Sequence, residues 1–173
     1  MKTRYTEILI RAMLCLTLLA GASISAFAGF HDDAACVANA VTLEQLKSAQ
    51  QATARFQNTR TAERAGYMNI GLEVPNMGHH WVNFDLVDNV FEADKPEALV
   101  YADLGTGRLQ LVAVEYLAPY DSAGPPEGFV GTCDGWSPFT PPGGSEPVFW
   151  TLHAWIWHAN LSGTFAKFNP LIP

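Results

Sequence analysis

The chain has 173 residues, of which 49% are hydrophobic and 16% charged, with five tryptophans and a formal net charge of −7. This composition excludes an intrinsically disordered protein and predicts a single domain that buries a substantial core. The acidic balance disfavours binding to nucleic acid or anionic lipid, and it suits cations or neutral ligands as partners.

The N-terminus has the three parts of a secretory signal peptide. Basic residues precede an apolar run at residues 12–20, and Ala26-Phe27-Ala28 provides a cleavage site. A transmembrane anchor requires about 20 uninterrupted apolar residues, and this run is shorter. We therefore predict a signal peptide over residues 1–28 and one exported domain over residues 29–173, secreted or periplasmic and without a membrane span. After cleavage 7 basic and 16 acidic residues remain, which gives a formal charge of −9.

Export creates two further expectations near the new N-terminus. Cleavage after Ala28 exposes Gly29-Phe30-His31, whose amine, backbone amides and imidazole can bind Cu²⁺ or Ni²⁺ in a square plane, so His31 is an alternate metal ligand. Cys36 and Cys133 are the two cysteines that remain after processing. An oxidising compartment favours a disulfide bond between them, and two free thiols or soft metal ligands are the other interpretation.

Two helices are predicted at the start of the mature domain. Thr42 and Gln45 have the spacing of a capping box, which predicts that the first helix begins at Thr42. Its apolar residues recur at helical spacing, namely Leu43, Leu46, Ala49, Ala52 and Phe56. A second short helix is predicted from near Asn58 to Ala65, where Gly66 ends it.

From Met68 onward the periodicity changes from helical to alternating, which predicts β-strands. The predicted strands span residues 80–86, 97–104, 109–117 and 149–158, with a compact turn at residues 105–107 and a long Pro/Gly-rich loop at residues 119–147. The fold class that follows is α+β, in which N-terminal helices pack on an antiparallel β-sheet that can curl into a small barrel.

One carboxylate stands on an otherwise apolar face of a predicted strand. Alternation puts Glu115 on the same face as four apolar residues, Leu109, Leu111, Ala113 and Leu117. An unpaired charge there costs several kcal/mol, so Glu115 needs a partner.

Two histidines are candidates for that partner. His80 and His153 lie on predicted strands, and two imidazoles with one carboxylate bind Zn²⁺ with an open fourth position or Fe²⁺ as a facial triad. The cofactor expected is therefore a divalent metal ion, either zinc, copper or iron. His79 and His158 are alternate ligands on the opposite faces. The competing interpretation is a set of half-buried histidines held by hydrogen bonds.

Several aromatic residues admit a different function. Trp81, Trp155 and Trp157, with Tyr116 nearby, are candidates for an aromatic pocket that holds a neutral small ligand without metal. Core packing is the alternative for all four. Tyr116 and Glu97 are also candidates to assist acid/base chemistry beside a metal. The sequence has none of the motifs typical of hydrolases with a serine or cysteine nucleophile.

Distinctive motifs occupy several segments: MGHHWVN at residues 77–83, PEALVY at 96–101, LVAVEY at 111–116, LHAWIW at 152–157 and GTFAKFNP at 163–170. Together they resemble a family of uncharacterised, mostly bacterial secreted proteins, from about Leu43 to Pro170. The resemblance implies no activity. It favours the ligand set His80, Glu115 and His153, because His79 and His158 stand where the family pattern has other residues. Leu161 departs from the pattern, which has proline there.

The sequence therefore predicts an exported protein with a His/Glu/His metal site and an unassigned reaction, if any. A metal-free binding module for a neutral small molecule is the second hypothesis, and a structural envelope protein is the third. The oligomeric state is not predicted.

Overall fold

The computed structural model describes residues 39–131 and 134–173. The predicted signal peptide, His31 and both cysteines lie outside these residues, so export, the N-terminal copper site and the disulfide bond stay predictions. Within the described ranges, no helix combines the length and the apolar character that crossing a membrane requires.

In the described part of the chain, a helical segment precedes an antiparallel sheet. The helices are α1 (Ala40–Thr53) and α2 (Thr59–Arg64), joined by a 3₁₀ turn at Ala54–Gln57. The strands are β1 (Met68–Val74), β2 (Gly78–Val82), β3 (Ala98–Asp103), β4 (Leu109–Pro119), β5 (Ser137–Phe139) and β6 (Phe149–Ala154). All neighbouring strands are antiparallel, in the order β1-β2-β3-β4-β6-β5. The sheet curls into a half-barrel, which confirms the α+β class.

The first helix begins earlier than its sequence pattern predicts. Asn39 is the N-cap, and its side-chain oxygen accepts a hydrogen bond from the Thr42 amide at 2.9 Å. The predicted capping box is wrong because both of its side chains bind the loop instead. The Thr42 hydroxyl donates to the Val130 carbonyl, and Gln45 Oε1 accepts from the Val130 amide at 2.8 Å. Leu43, predicted on the buried face, is 57% exposed.

The end of α2 matches the prediction. Gly66 adopts φ +95°, and its amide donates to the Glu63 carbonyl at 3.0 Å. The next amide, of Tyr67, reaches back to the Ala62 carbonyl at 3.1 Å. These two bonds form a Schellman motif, which a glycine after the helix end favours.

One face of the sheet packs against the helices, and the other face borders a cavity. The face that the helices cover carries the largest apolar cluster, which includes Phe56 from the helical segment together with Leu99, Tyr101 and Leu152 from the strands. The opposite face is lined by both edge strands, since Ile70 of β1 and Phe139 of β5 border the same cavity. This second face is therefore the concave one.

Several strand boundaries differ from the predicted ones, and one short strand was not predicted. β2 ends at Val82 because the chain enters a 3₁₀ turn at Phe84–Leu86, where the Asn83 side chain accepts from the Asp85 amide at 3.2 Å. β6 ends at Ala154, so Trp157 lies beyond the strand. The loop predicted at residues 119–147 contains the short strand β5.

A β-bulge in β4 changes which residues share the face of Glu115. Val100 pairs with Ala113, but the next residue of β3, Tyr101, pairs with Leu111, so one residue of β4 is extra. Leu111 consequently packs in the cluster on the helix side, and Leu109 packs against it. The prediction that Leu109 and Leu111 share the face of Glu115 is therefore wrong.

Candidate metal centre

Three buried ionisable side chains meet on the concave face, one from each of three strands. His80 comes from β2, Glu115 from β4 and His153 from β6, and their exposed fractions are 3%, 5% and 2%. One ligand atom from each residue lies within 4.8 Å of the other two. The structure thus brings together the three residues that were predicted to converge, in a group close enough to hold a metal ion.

The sheet register explains how Glu115 and His153 meet. They occupy directly opposite positions on β4 and β6. Side chains at opposite positions of an antiparallel pair point to the same face with Cβ atoms about 5 Å apart. Glu115 Oε1 accordingly lies 3.4 Å from His153 Nε2.

His80 reaches the same carboxylate from two strands away. β3 lies between β2 and β4, and there Ala98 pairs directly with Glu115 while Val100 pairs with His80. Neighbouring strands are about 4.8 Å apart, so the two side chains must lean over β3 to meet. The small side chain of Ala98 leaves room for this, and His80 Nε2 lies 3.6 Å from Glu115 Oε2.

A hydrogen bond from the edge strand orients the His80 ring. Its Nδ1 lies 3.3 Å from the Leu72 carbonyl of β1. The register of β1 shifts between Asn69 and Glu73, so the segment with Leu72 bulges opposite His80. A carbonyl acceptor places the proton on Nδ1 and leaves the Nε2 lone pair free. This arrangement is typical of metal-binding histidines.

The His153 ring is held by packing. It stacks on Trp155 with ring centroids 6.2 Å apart and an interplanar angle of 14°. Trp155 is itself fixed, since its Nε1 donates to the Ala166 carbonyl at 2.6 Å. Burial lowers the pKa of His153, and the attraction of the Glu115 carboxylate only partly opposes that effect. A lowered pKa favours the neutral imidazole, which is the form that binds metal.

The close contacts in this group are not hydrogen bonds. Although His153 Nε2 is 3.4 Å from Glu115, the contact lacks hydrogen-bond geometry, and this buried nitrogen has no hydrogen-bond partner among the described residues. The 3.6 Å separation at His80 exceeds hydrogen-bond length. Buried polar atoms are nearly always hydrogen-bonded, so three ligand atoms that face one another without such bonds call for a different explanation.

A cavity of about 270 Å³ opens above the three residues. Its walls are mainly apolar and come from both edge strands, from β2, β4 and β6, and from the C-terminal segment. Four phenylalanines line it, namely Phe84, Phe139, Phe149 and Phe168. Apart from the His/Glu/His group on its floor, its polar lining in the described chain consists of Thr140, Thr151 and Lys167. Any group held by the three residues is therefore accessible from an apolar pocket.

The alternate histidines lie elsewhere. His79 follows the alternation to the opposite face of β2, where its Nε2 is 3.7 Å from Glu73 Oε1 at the surface. His158 lies beyond the end of β6, and its backbone amide donates to the Val112 carbonyl. Neither belongs to the group that can hold a metal within the described part of the chain.

The structure does not gather the candidate aromatic residues into one pocket. Trp81 packs on the helix side against Tyr101, with ring centroids 5.3 Å apart. Trp157 also faces the helices, since its Nε1 donates to the Thr53 hydroxyl, whereas Trp155 packs on the other side of the sheet. Tyr116 is buried on the helix side. None of the four predicted residues, the three tryptophans and Tyr116, lines the cavity.

Glu97 and Tyr116 do not lie in the cavity either, so neither is placed to assist chemistry there. The Tyr116 hydroxyl donates to the Ala93 carbonyl at 2.7 Å. Glu97 Oε2 accepts from the Leu117 amide at 3.0 Å, and burial raises the pKa of this carboxyl to about 7. Both side chains have structural partners.

The cavity lining is the part of the site that the sequence pattern missed. Phe139 belongs to a strand hidden in a Pro/Gly-rich loop, and Phe168 belongs to a segment without regular structure. Ile70 carries a weak signal, because it alternates with Leu72 and Val74 along β1. Their convergence depends on the curl of the whole sheet, which no local pattern encodes.

Comparison of the chain with protein-family models, with curated proteins and with solved structures finds no match.

Proposed function

We propose that this protein binds one divalent metal ion through His80 Nε2, the Glu115 carboxylate and His153 Nε2. The observation that carries the proposal is the convergence of three buried ligand atoms that make no hydrogen bonds to one another. A cation at their centre explains this convergence without hydrogen bonds, because it neutralises a buried carboxylate and binds two nitrogen lone pairs at once.

The donor types favour zinc, since imidazole nitrogens and a carboxylate oxygen are typical zinc ligands. Iron as a facial triad and copper are the competing metals, and metal analysis separates them.

The donor set leaves a coordination position for a further ligand. Two imidazoles and one carboxylate form an incomplete shell for zinc, whose structural sites have four protein ligands and whose catalytic sites have three. The group also borders an accessible cavity rather than a closed core. When bound, a metal there supplies Lewis acidity towards a small molecule that enters the cavity. We assign no reaction.

Export belongs to the same proposal. The signal peptide predicted over residues 1–28 supports a location in the periplasm or the medium, where zinc and copper are not under cytosolic control. Mass spectrometry of the mature N-terminus tests this location.

The test is metal binding by purified protein, measured as metal content by mass spectrometry and as Zn²⁺ affinity by competition with a chelating dye. We expect one equivalent of metal in wild type and its loss in His80→Ala and His153→Ala. His79→Ala is the matched control, because this neighbouring histidine faces away from the site.

Two results contradict the proposal. One is the absence of metal from wild type together with no increase in melting temperature on addition of Zn²⁺, Fe²⁺ or Cu²⁺. The other is retention of stoichiometric metal by both His80→Ala and His153→Ala.

A further inference from the structure

We propose that the cavity binds a small amphiphilic monoanion, with its apolar body against the phenylalanine-lined walls and its anionic head towards the His/Glu/His floor and Lys167. The preference for an anion rests on the proposed metal, whereas the apolar part of the site rests on the cavity alone. This assignment differs from the neutral ligand that the tryptophans suggest, because those tryptophans do not line the cavity.

The size of the cavity limits the ligand. An apolar cavity of about 150 Å³ is known to accommodate benzene, so about 270 Å³ has room for about ten carbon-sized atoms. Drug-sized ligands require roughly 300 Å³ or more. The cavity therefore fits a medium-length acyl chain or a short substituted aromatic ring, and it excludes an oligosaccharide or a folded peptide segment.

The walls of the cavity favour a ligand whose main part is apolar. They contain few hydrogen-bonding groups outside the floor, so a sugar would lose its hydrogen bonds to water without replacement. Phe84 and Phe168 line the cavity yet are 48% and 47% exposed. Apolar side chains left open beside a cavity are typical of a binding site. A bound apolar chain buries them further, and the removal of apolar surface from water favours binding.

The charges that line the cavity favour a ligand with an anionic head group. Lys167 is the one basic side chain in the described lining of the cavity. Its amine lies 5.7 Å from the centroid of the Phe168 ring and forms no ion pair with a carboxylate of the described residues. Without metal, the Glu115 carboxylate on the floor opposes an anion. With a divalent cation, two neutral imidazoles and one carboxylate, the floor becomes net positive and attracts one.

Metal and anion should therefore bind cooperatively, and the coupling must be reciprocal. A neutral ligand of the same shape gains little from the metal, because it interacts mainly with the walls. This difference separates an anion site from a general hydrophobic cavity.

The experiment compares octanoate with octanamide, a neutral molecule of the same length, by isothermal titration calorimetry on zinc-loaded and on chelator-treated protein. We expect both probes to bind. Zinc should tighten octanoate binding by about tenfold, a typical coupling between two ligands, and change octanamide binding by less than about threefold.

Two variants test whether octanoate and octanamide bind in this cavity. Lys167→Met keeps most of the unbranched apolar side chain and removes its charge, so it should weaken octanoate binding by about threefold to tenfold and leave octanamide binding unchanged. Ile70→Trp fills the cavity from an edge strand where the native residue is 40% exposed, and it should weaken both probes while zinc content stays at one equivalent. Leu43→Trp, on the exposed face of α1, is the matched control.

The outcomes distinguish this inference from the proposed function. Failure of both probes to bind zinc-loaded protein, or an equal loss in Ile70→Trp and Leu43→Trp, overturns the cavity assignment even when metal content is stoichiometric. Equal effects of zinc on the two probes overturn the anion preference. Octanamide binding by a protein that takes up no zinc supports the apolar cavity and contradicts the metal centre.

Discussion

The two faces of the sheet treat their buried polar side chains in opposite ways. On the helix side, the hydroxyls of Tyr67, Tyr101 and Tyr116 each donate to a backbone carbonyl at 2.6–2.7 Å. On the concave side, the ligand atoms of His80, Glu115 and His153 face one another at 3.4–3.6 Å without hydrogen bonds. The three tyrosine hydroxyls on the helix side thus have partners within the fold, whereas the cluster beside the cavity is the candidate ligand site.

An unpaired donor alone does not mark a site. Trp81 Nε1 and Trp136 Nε1 are also buried without a hydrogen-bond partner in the described chain. Each is a single neutral donor, whereas the concave face combines a carboxylate with two imidazoles. The charge and the convergence of three groups distinguish the candidate site from an isolated packing defect.

The largest effect is expected from Glu115→Gln, compared with Tyr116→Phe at the next position. Glu115→Gln removes the only charged ligand, and it should weaken Zn²⁺ binding on the order of 1,000-fold, beyond the roughly 100-fold that changes around a ligand cause. Tyr116→Phe leaves the Ala93 carbonyl unpaired and should cost about 1–2 kcal/mol of unfolding free energy with unchanged zinc affinity. Dye competition and chemical denaturation measure the two quantities. If the two variants bind zinc with equal affinity, the predicted difference between the two faces of the sheet is contradicted.

A pH-dependent effect on stability is expected from Glu97, on the helix side. Burial raises its pKa to about 7 from an ordinary value of 4.5, so the folded protein holds a proton that the unfolded chain releases between these pH values. Stability due to this group therefore falls as pH rises from 4.5 to 7, by about 3 kcal/mol at most.

Glu97→Gln keeps an oxygen that can accept from the Leu117 amide and removes the titration. Relative to wild type, this variant should become more stable at pH 8 than at pH 5. The difference between the two proteins isolates Glu97 from the buried His153, whose lowered pKa acts in the opposite direction. If the free energies of unfolding of variant and wild type change in parallel with pH, Glu97 does not cause the pH dependence.

An intermediate effect is expected from a larger side chain at Ala98 of β3, over which His80 and Glu115 meet. Ala98→Leu places a larger side chain between His80 and Glu115, so it should weaken Zn²⁺ binding by about tenfold to 100-fold. Ala98→Gly keeps the gap open and serves as the control, with zinc affinity near that of wild type. If the leucine variant binds zinc as tightly as the glycine variant, the two ligands do not meet across this position.

The smallest effect is expected from Trp155→Phe. The variant loses the hydrogen bond to the Ala166 carbonyl and part of the stacking against His153. We expect a loss of about 1–2 kcal/mol in unfolding free energy and less than about tenfold in zinc affinity. Complete loss of zinc would assign Trp155 a larger role in positioning His153 than its contacts indicate.

Local patterns predicted the convergence of His80, Glu115 and His153 well because each lies in a regular part of a strand. Glu115 and His153 occupy the uninterrupted segment where β4 pairs with β6, so alternation assigns their faces correctly. The apolar sequence around Glu115 also drew attention to this carboxylate, which is buried in the structure. The fold class followed from the change of periodicity after α2.

The errors arose where tertiary structure overrides alternation. The bulge at Val112 sends Leu111 to the helix side, and neither residue differs in type from its neighbours. Asn39 caps α1 because Thr42 bonds to Val130, which is distant in sequence. The cavity depends on two edge strands that curl towards each other, and strand order cannot be read from side-chain periodicity.

Anomalous X-ray scattering at the zinc edge, from crystals of zinc-loaded protein, tests the metal centre most directly. We predict a single strong peak on the concave face, about 2.0–2.2 Å from His80 Nε2, His153 Nε2 and one oxygen of Glu115. A zinc-loaded crystal with no peak between these three side chains, or with its zinc bound elsewhere, would contradict the proposed function.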